Sequence, residues 1–156
     1  MVGIKIPGRD SLSLSFLVCD YNGTLACDGN LLTDLTPLIM TLSAHLEVHV
    51  VTADTFGVAK RNLRNLPVTL SILPAEEQDA NKAAYIRRLG AEHTVAIGNG
   101  RNDMLMLRDA ALGICVTETE GACVQTLQAA DVACSSTVAA LQLLLNPKRL
   151  IATLRT

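Results

Sequence analysis

Asp20 ends the apolar run Leu14-Ser15-Phe16-Leu17-Val18-Cys19 and begins the turn-like segment Asp20-Tyr21-Asn22-Gly23-Thr24-Leu25. A carboxylate fixed at a strand end, followed by a Gly-Thr turn, suits phosphate chemistry. Gly23 lets the backbone turn tightly, and the turn's amides can face an anion. Aspartate at a strand end also caps ordinary turns, so the pattern needs company. Thr52, in Val51-Thr52-Ala53-Asp54-Thr55, offers a hydroxyl beside helix-terminal amides that could hold a phosphate oxygen. Thr52 or Asp54 could equally well just cap that helix. Lys82, in Ala80-Asn81-Lys82-Ala83-Ala84, is long enough to bring an ammonium over a bound phosphate, although lysine is ordinarily solvated. The loop Gly98-Asn99-Gly100-Arg101-Asn102-Asp103 then sets polar oxygens at fixed spacing after a strand. Mg²⁺ takes hard oxygen ligands and usually only one or two protein carboxylates. Asp20 and Asp103 are the candidate pair, directly or through water; the other reading of Asp103 is a helix cap.

These groups must be placed by the elements around them. Residues 2–6 and 11–15 flank Pro7-Gly8-Arg9-Asp10 and predict an N-terminal hairpin extension over residues 1–15. Strands are predicted at 14–20, 47–52, 68–73, 94–97, 112–116 and 131–134. Helices are predicted at 33–46, 54–65, 75–89, 102–111, 123–130, 137–145 and 147–154, with Gly90 closing the third and Pro147 opening the last. This alternation of apolar strands and helices predicts an α/β fold: a Rossmann-like three-layer sandwich around a mostly parallel sheet. Right-handed crossovers put all strand C-terminal ends on one edge, where Asp20, Thr52 and the Gly98–Asp103 loop converge.

The 156 residues read as one domain, 1–156, with no linker or repeat. Hydrophobic residues make up 49% and charged residues 18%, which excludes disorder. A net charge of −2 and the absence of Trp, with two Phe and two Tyr, argue against a nucleic-acid partner. No apolar run reaches a membrane span and the N-terminus lacks a signal-peptide pattern, so the expected location is cytoplasmic. Five cysteines without a CxxC pair read as reduced core residues. His45, His49 and His93 lack metal-ligand spacing and read as structural.

Taken in order, the four motifs resemble the haloacid dehalogenase superfamily of phosphatases and phosphotransferases. Its pattern is a nucleophilic Asp at a strand end, then Ser or Thr, then Lys, then an acidic GDxxxD or GDGxND loop. Asp20, Thr52, Lys82 and Asp103 match it across most of residues 14–134. The likeness is greatest to the phosphorylation domain of P-type ATPases, in Thr52-Ala53-Asp54, in Gly98–Asp103 and in the following Ala110-Ala111-Leu112-Gly113-Ile114. The resemblance implies a Mg²⁺-dependent phosphohydrolase in which Asp20 becomes an aspartyl phosphate. It makes Asp20, Thr52 and Lys82 catalytic, and it binds phosphate through Asp20, Gly23, Thr24, Thr52, Ala53 and Lys82. It assigns the metal to Asp20, the Asn22 carbonyl, Asn99 and Asp103.

Two residues depart from that pattern. Asn22 stands where most of these phosphatases carry a second Asp that protonates the leaving group and then activates water. Losing such help costs about 10²–10⁴-fold. Asn99 stands where a direct Mg²⁺ carboxylate is usual, which removes a negative charge from the site. The outcomes they imply are slow turnover, another acid such as Asp54 or Asp28, or no catalysis. The stretches between Asp20, Thr52 and Lys82 are too short for a cap domain. Capless relatives tend to act on macromolecules or to close their sites by oligomerisation. The expected substrate is thus a phosphorylated small molecule or protein, with homo-oligomerisation through the hairpin, or its pairing on the sheet edge, both open. Rival readings are a non-catalytic phosphate-binding module and a receiver-like phosphoacceptor.

Overall fold

The computed structural model describes residues 1–54 and 57–156. In chain order its strands are β1 Val2–Ile4, β2 Leu12–Leu14, β3 Phe16–Asp20, β4 Ala26–Cys27, β5 Asn30–Leu31, β6 Glu47–Thr52, β7 Thr69–Ile72, β8 Thr94–Gly98, β9 Leu112–Val116 and β10 Val132–Cys134. The helices are α1 Leu35–Leu42, α2 Val58–Leu63, α3 Gln78–Leu89, α4 Met104–Asp109, α5 Val124–Ala129, α6 Thr137–Leu145 and α7 Pro147–Leu154. Single 3₁₀ turns, Ala91–His93 and Arg101–Asp103, precede β8 and α4.

Six strands form the central sheet in the order β10-β9-β8-β3-β6-β7, and every pairing is parallel. Both faces are covered, which is why β3, β8 and β9 read as continuous apolar runs. Strand alternation divides the core in two. Leu17 and Cys19, Val48 and Val50, Val95 and Ile97 pack on one side with α1, α6 and α7. Val18, Val51, Ala96 and Cys115 pack on the other with Ile86 of α3 and Met106 and Leu107 of α4. Asp20 is two residues beyond Val18, so it belongs to the face covered by α3 and α4.

From β3 the chain passes through α1 to β6 on one side. After β7 it returns through α3 to β8 on the other side of β3. The strand order therefore reverses at β3, and a crevice opens beyond its C-terminal end, where Asp20 sits.

The N-terminal hairpin is present, β1 pairing antiparallel with β2 from Val2 opposite Leu14. It forms a separate two-stranded sheet, so of the two roles left open for it, pairing on the main sheet edge does not occur. Ile4, Ile6, Leu12 and Leu14 are buried in the main core, so the hairpin's apolar residues are used within the chain. No cap domain is inserted among the described residues. In its place after β3 lies a small flap, β4–β5, closed by Asp28 and Gly29, both with positive φ.

The helix predicted from Asp54 begins at Val58, and residues 55 and 56 of that prediction lie outside the described residues. Asp54 has φ 36°, and its carboxylate accepts the amides of Ala59 (2.9 Å) and Lys60 (3.1 Å). It caps α2 from outside rather than entering it. Gly90 closes α3 at φ 108° and Pro147 occupies the first turn of α7, as expected. His49 is buried with Nδ1 2.8 Å from the Tyr85 hydroxyl, and the exposed His93 has Nδ1 2.9 Å from the Ser13 carbonyl, so both make structural contacts.

Candidate active site

Lys82 is the least ordinary residue of the crevice. It lies on the buried face of α3 with Ala83, Tyr85 and Ile86, and only 1% of it is exposed. Its ammonium donates to Asp20 Oδ1 and to Asp103 Oδ1, each at 2.7 Å. Three elements, β3, α3 and the loop after β8, thus meet at one nitrogen atom. The second oxygen of Asp103 accepts the amides of Asn99 (3.0 Å) and Gly100 (2.9 Å). Asp103 therefore buckles its own loop and anchors Lys82 together. Gly98 permits this approach, since a Cβ there would lie 2.5 Å from the Asp103 carboxyl carbon.

One ammonium faces two carboxylates, so the buried cluster carries an excess negative charge. Burial, and next the charge of Asp103, push the Asp20 carboxyl up to about 7, while Lys82 pulls it the other way. Burial alone would depress Lys82, but Asp20 and Asp103 outweigh it and hold the amine above its ordinary value. Lys82 thus stays charged at neutral pH, and Asp20 is poised near it.

The cluster opens on a cavity of about 270 Å³ lined by Asp20, Asn22, Thr52, Ala53, Lys82 and Asn99. The structure thus brings together residues from all four motifs. Thr52 is 2% exposed, and its hydroxyl accepts the Asp54 amide at 3.3 Å, a long bond that leaves the O–H proton to donate.

Gly23 and Thr24 are placed differently from the expectation. The Gly23 amide donates to Ala26 O (2.8 Å) and the Thr24 amide to Tyr21 O (3.3 Å), so both are used inside the turn. The Thr24 side chain is fully buried and donates to Asn99 Oδ1 at 3.4 Å. Gly23 has φ +76°, and a Cβ on it would meet the Asn99 amide nitrogen at 2.4 Å. These two residues shape the turn against Asn99 and stand behind the cavity wall rather than facing it. Asn99 also donates to Gly121 O at 2.9 Å, so its amide joins three loops. Asp103, expected as a metal ligand, likewise stands behind the wall, its two oxygens engaged by Lys82 and by the loop amides.

A divalent cation fits this site on charge and on donor type. Asp20, Asn22 and Asn99 offer hard oxygens around one cavity, and a cation would offset the uncompensated carboxylate. Gln78, Gly100, Asn102 and Glu120 also line the cavity, and the motif reading does not single them out. Gln78 opens α3, and its side chain donates to the Pro74 carbonyl. Gly100 and Asn102 lie inside the Gly98–Asp103 motif, but no local pattern marks Gln78 or Glu120. Their one general signal is a position after a strand C-terminal end or at a helix start.

No known family's sequence model matches the chain. An uncharacterized protein of Methanocaldococcus jannaschii is 51% identical over 61 residues, covering 39% of this chain and 66% of that protein. The match thus spans just under two thirds of the curated relative's length. Among solved structures, the cobalt-bound deoxy-D-mannose-octulosonate 8-phosphate phosphatase of Haemophilus influenzae superposes with a TM-score of 0.71 at 16% identity, covering 92% of this chain and 94% of that one. The corresponding phosphatase of Moraxella catarrhalis, in complex with magnesium, phosphate and KDO, gives 0.67 at 19% identity, covering 90% and 92%. A zinc-transporting PIB-type ATPase gives 0.64 at 20% identity over 79% of this chain and 20% of its own. At such identities the likeness concerns the fold. With a six-stranded parallel sheet, an N-terminal hairpin and no inserted cap among the described residues, the chain has the fold of the haloacid dehalogenase superfamily.

Proposed function

We propose that the protein is a divalent-cation-dependent phosphohydrolase that passes a phosphoryl group through Asp20. The observation that carries this reading is the buried Lys82 ammonium, 2.7 Å from both Asp20 and Asp103 at the mouth of the sheet's switch point. A lysine held there cannot be a solvated surface charge; it is set to offset an anion arriving beside Asp20. The Asp20 carboxylate attacks phosphorus, the Thr52 hydroxyl and the Ala53 backbone orient the phosphoryl oxygens, and Lys82 steadies the charge that builds on them. Catalysis of this kind is mostly positioning and electrostatic stabilisation. Asp20, the Asn22 carbonyl and the Asn99 amide oxygen would hold magnesium, which when bound would supply charge neutralisation on the phosphoryl group.

A cavity of about 270 Å³ accommodates a phosphoryl group with a small group attached, so a larger substrate would extend onto the surface. A phosphorylated small molecule or an exposed phosphorylated side chain fits that description. All five cysteines are free, in keeping with a cytoplasmic setting. Among the described residues no helix is long and apolar enough to cross a membrane. The test is phosphate release from a panel of phosphomonoesters with Mg²⁺. Equal rates for wild type and Asp20→Asn would sink the reading.

A non-catalytic phosphate-binding module is the second reading, favoured by Asn22, which lines the cavity where an acid is expected. The two readings part in the wild type with Mg²⁺: a slow enzyme releases phosphate above the Asp20→Asn background, and a binding module that never turned over does not.

A further inference from the structure

We infer that Glu120 supplies the proton transfer that Asn22 cannot, a step that rests on the phosphohydrolase reading above. Asp20 and Glu120 are the carboxylates that line the cavity among the described residues, and Asn22 lies on the same wall. The other carboxylates near this edge are taken or turned away. Both oxygens of Asp54 cap α2, and those of Asp103 hold Lys82 and the loop amides. Asp28 sits in the flap turn and is not part of the cavity wall.

Glu120 is on the loop that follows β9, at the same sheet edge as Asp20. That loop is fixed on both sides of it. Gly121, at φ +77°, accepts the Asn99 side-chain amide at 2.9 Å, and the Cys123 amide donates to the Asn99 carbonyl at 2.8 Å. Glu118 accepts the Thr137 amide at 2.6 Å. The Glu120 carboxylate itself accepts the Asp28 amide at 3.1 Å through Oε1, which ties it to the flap. The Cys27 thiol and the Asp28 carboxylate are its titratable neighbours, all three groups within 4.8 Å of one another. A carboxyl group positioned by backbone contacts on one oxygen can exchange a proton through the other.

In the first step an Asp20 oxygen bonds to phosphorus, the ester P–O bond breaks, and the leaving oxygen takes the Glu120 proton. In the second step a water oxygen bonds to phosphorus, the P–O bond to Asp20 breaks, and the Glu120 carboxylate takes the water proton. Ester and water are consumed, alcohol and phosphate released, and the enzyme is returned unchanged. Glu120 thereby joins the flap and the fourth-motif loop in one function, which explains why the Asn99 amide is used to hold Gly121.

Glu120→Gln keeps an oxygen for the Asp28 amide and removes only the exchangeable proton. With Mg²⁺ present, we expect kcat/KM on alkyl phosphates to fall by about 10²–10⁴-fold, with a much smaller loss on p-nitrophenyl phosphate, whose leaving group needs no proton. We also expect a limb of the pH–rate profile to vanish. Adding Asn22→Asp to Glu120→Gln restores alkyl phosphate hydrolysis. Unchanged rates in Glu120→Gln overturn the inference and leave the phosphohydrolase reading standing. An equal loss on both esters, with no rescue by Asn22→Asp, reduces Glu120 to a flap contact and also overturns it. Wild-type rates no greater than those of Asp20→Asn overturn both readings together.

Discussion

On the proposed phosphohydrolase reading, Asp20→Asn should abolish phosphate release and, at the same time, make the metal-free protein more stable at pH 8. Loss of the nucleophile costs on the order of 10⁴–10⁶-fold in turnover, as for other covalent catalysts. The stability change has the opposite sign because of the cluster's charge. Two carboxylates share one buried ammonium, and burial with the Asp103 charge raises the Asp20 carboxyl to about 7. An unfolded aspartate titrates near 4, so the folded protein binds more protons between about pH 4 and pH 7. The contribution of Asp20 to stability is therefore fully present below pH 4 and lost as pH rises through 7. Asparagine has no such proton to lose and leaves Lys82 balanced against Asp103. Urea unfolding in EDTA should show the variant ahead by at least about 1 kcal/mol at pH 8, with the gap closing toward pH 4. Magnesium should narrow the gap at pH 8 by stabilising the wild type more. A variant less stable than wild type at pH 8 would contradict the charge assignment.

Lys82→Met has the second large effect, and it falls on folding as well as chemistry. Removing the ammonium leaves two like charges behind, one fully buried and one nearly so. Breaking a buried ion pair by deleting one partner costs about 3–5 kcal/mol. Deleting the ammonium removes the charge that pulls the Asp20 carboxyl down, so its folded-state value moves further above the unfolded one. The deficit accordingly grows as pH rises from 5 to 8 and shrinks as pH falls. Denaturant midpoints at the two pH values check this, and a loss under about 1 kcal/mol at pH 8 would mean that the cluster is not a folding element.

Much of this site is legible without the fold, because strand ends are legible. Val18-Cys19-Asp20 and Ile97-Gly98 are apolar runs that stop at polar residues, and a parallel sheet sends such ends to one edge. Lys82 carries no local signal of burial; only its place in the order of motifs singles it out, since an isolated helical lysine is normally solvated. Asp28-Gly29 is a hairpin signature, but strands of two residues show no alternation, so nothing in the pattern predicts the flap. Asp54 reads as a helix start, yet its positive φ lets it reach the α2 amides from a distance that sequence spacing does not reveal. Gly23 and Thr24 are expected to face the ligand because a Gly-Thr turn exposes amides. Here the turn closes its amides on Tyr21 and Ala26. Glu120 belongs to a loop whose position depends on Asn99, Gly121 and Thr137, contacts between residues distant in sequence, and no local pattern encodes it.

We propose that Asp20 accepts a phosphoryl group beside a cation, under the Lys82 ammonium. A crystal structure of the protein soaked with Mg²⁺ and beryllium fluoride tests it most directly. The expected result is a fluoroberyllate bonded to the Asp20 carboxylate, with Lys82 and Thr52 within hydrogen-bond reach of its fluorines and magnesium beside the Asn22 carbonyl. A fully occupied fluoroberyllate elsewhere, or none at all with Asp20 still paired to Lys82, would contradict it.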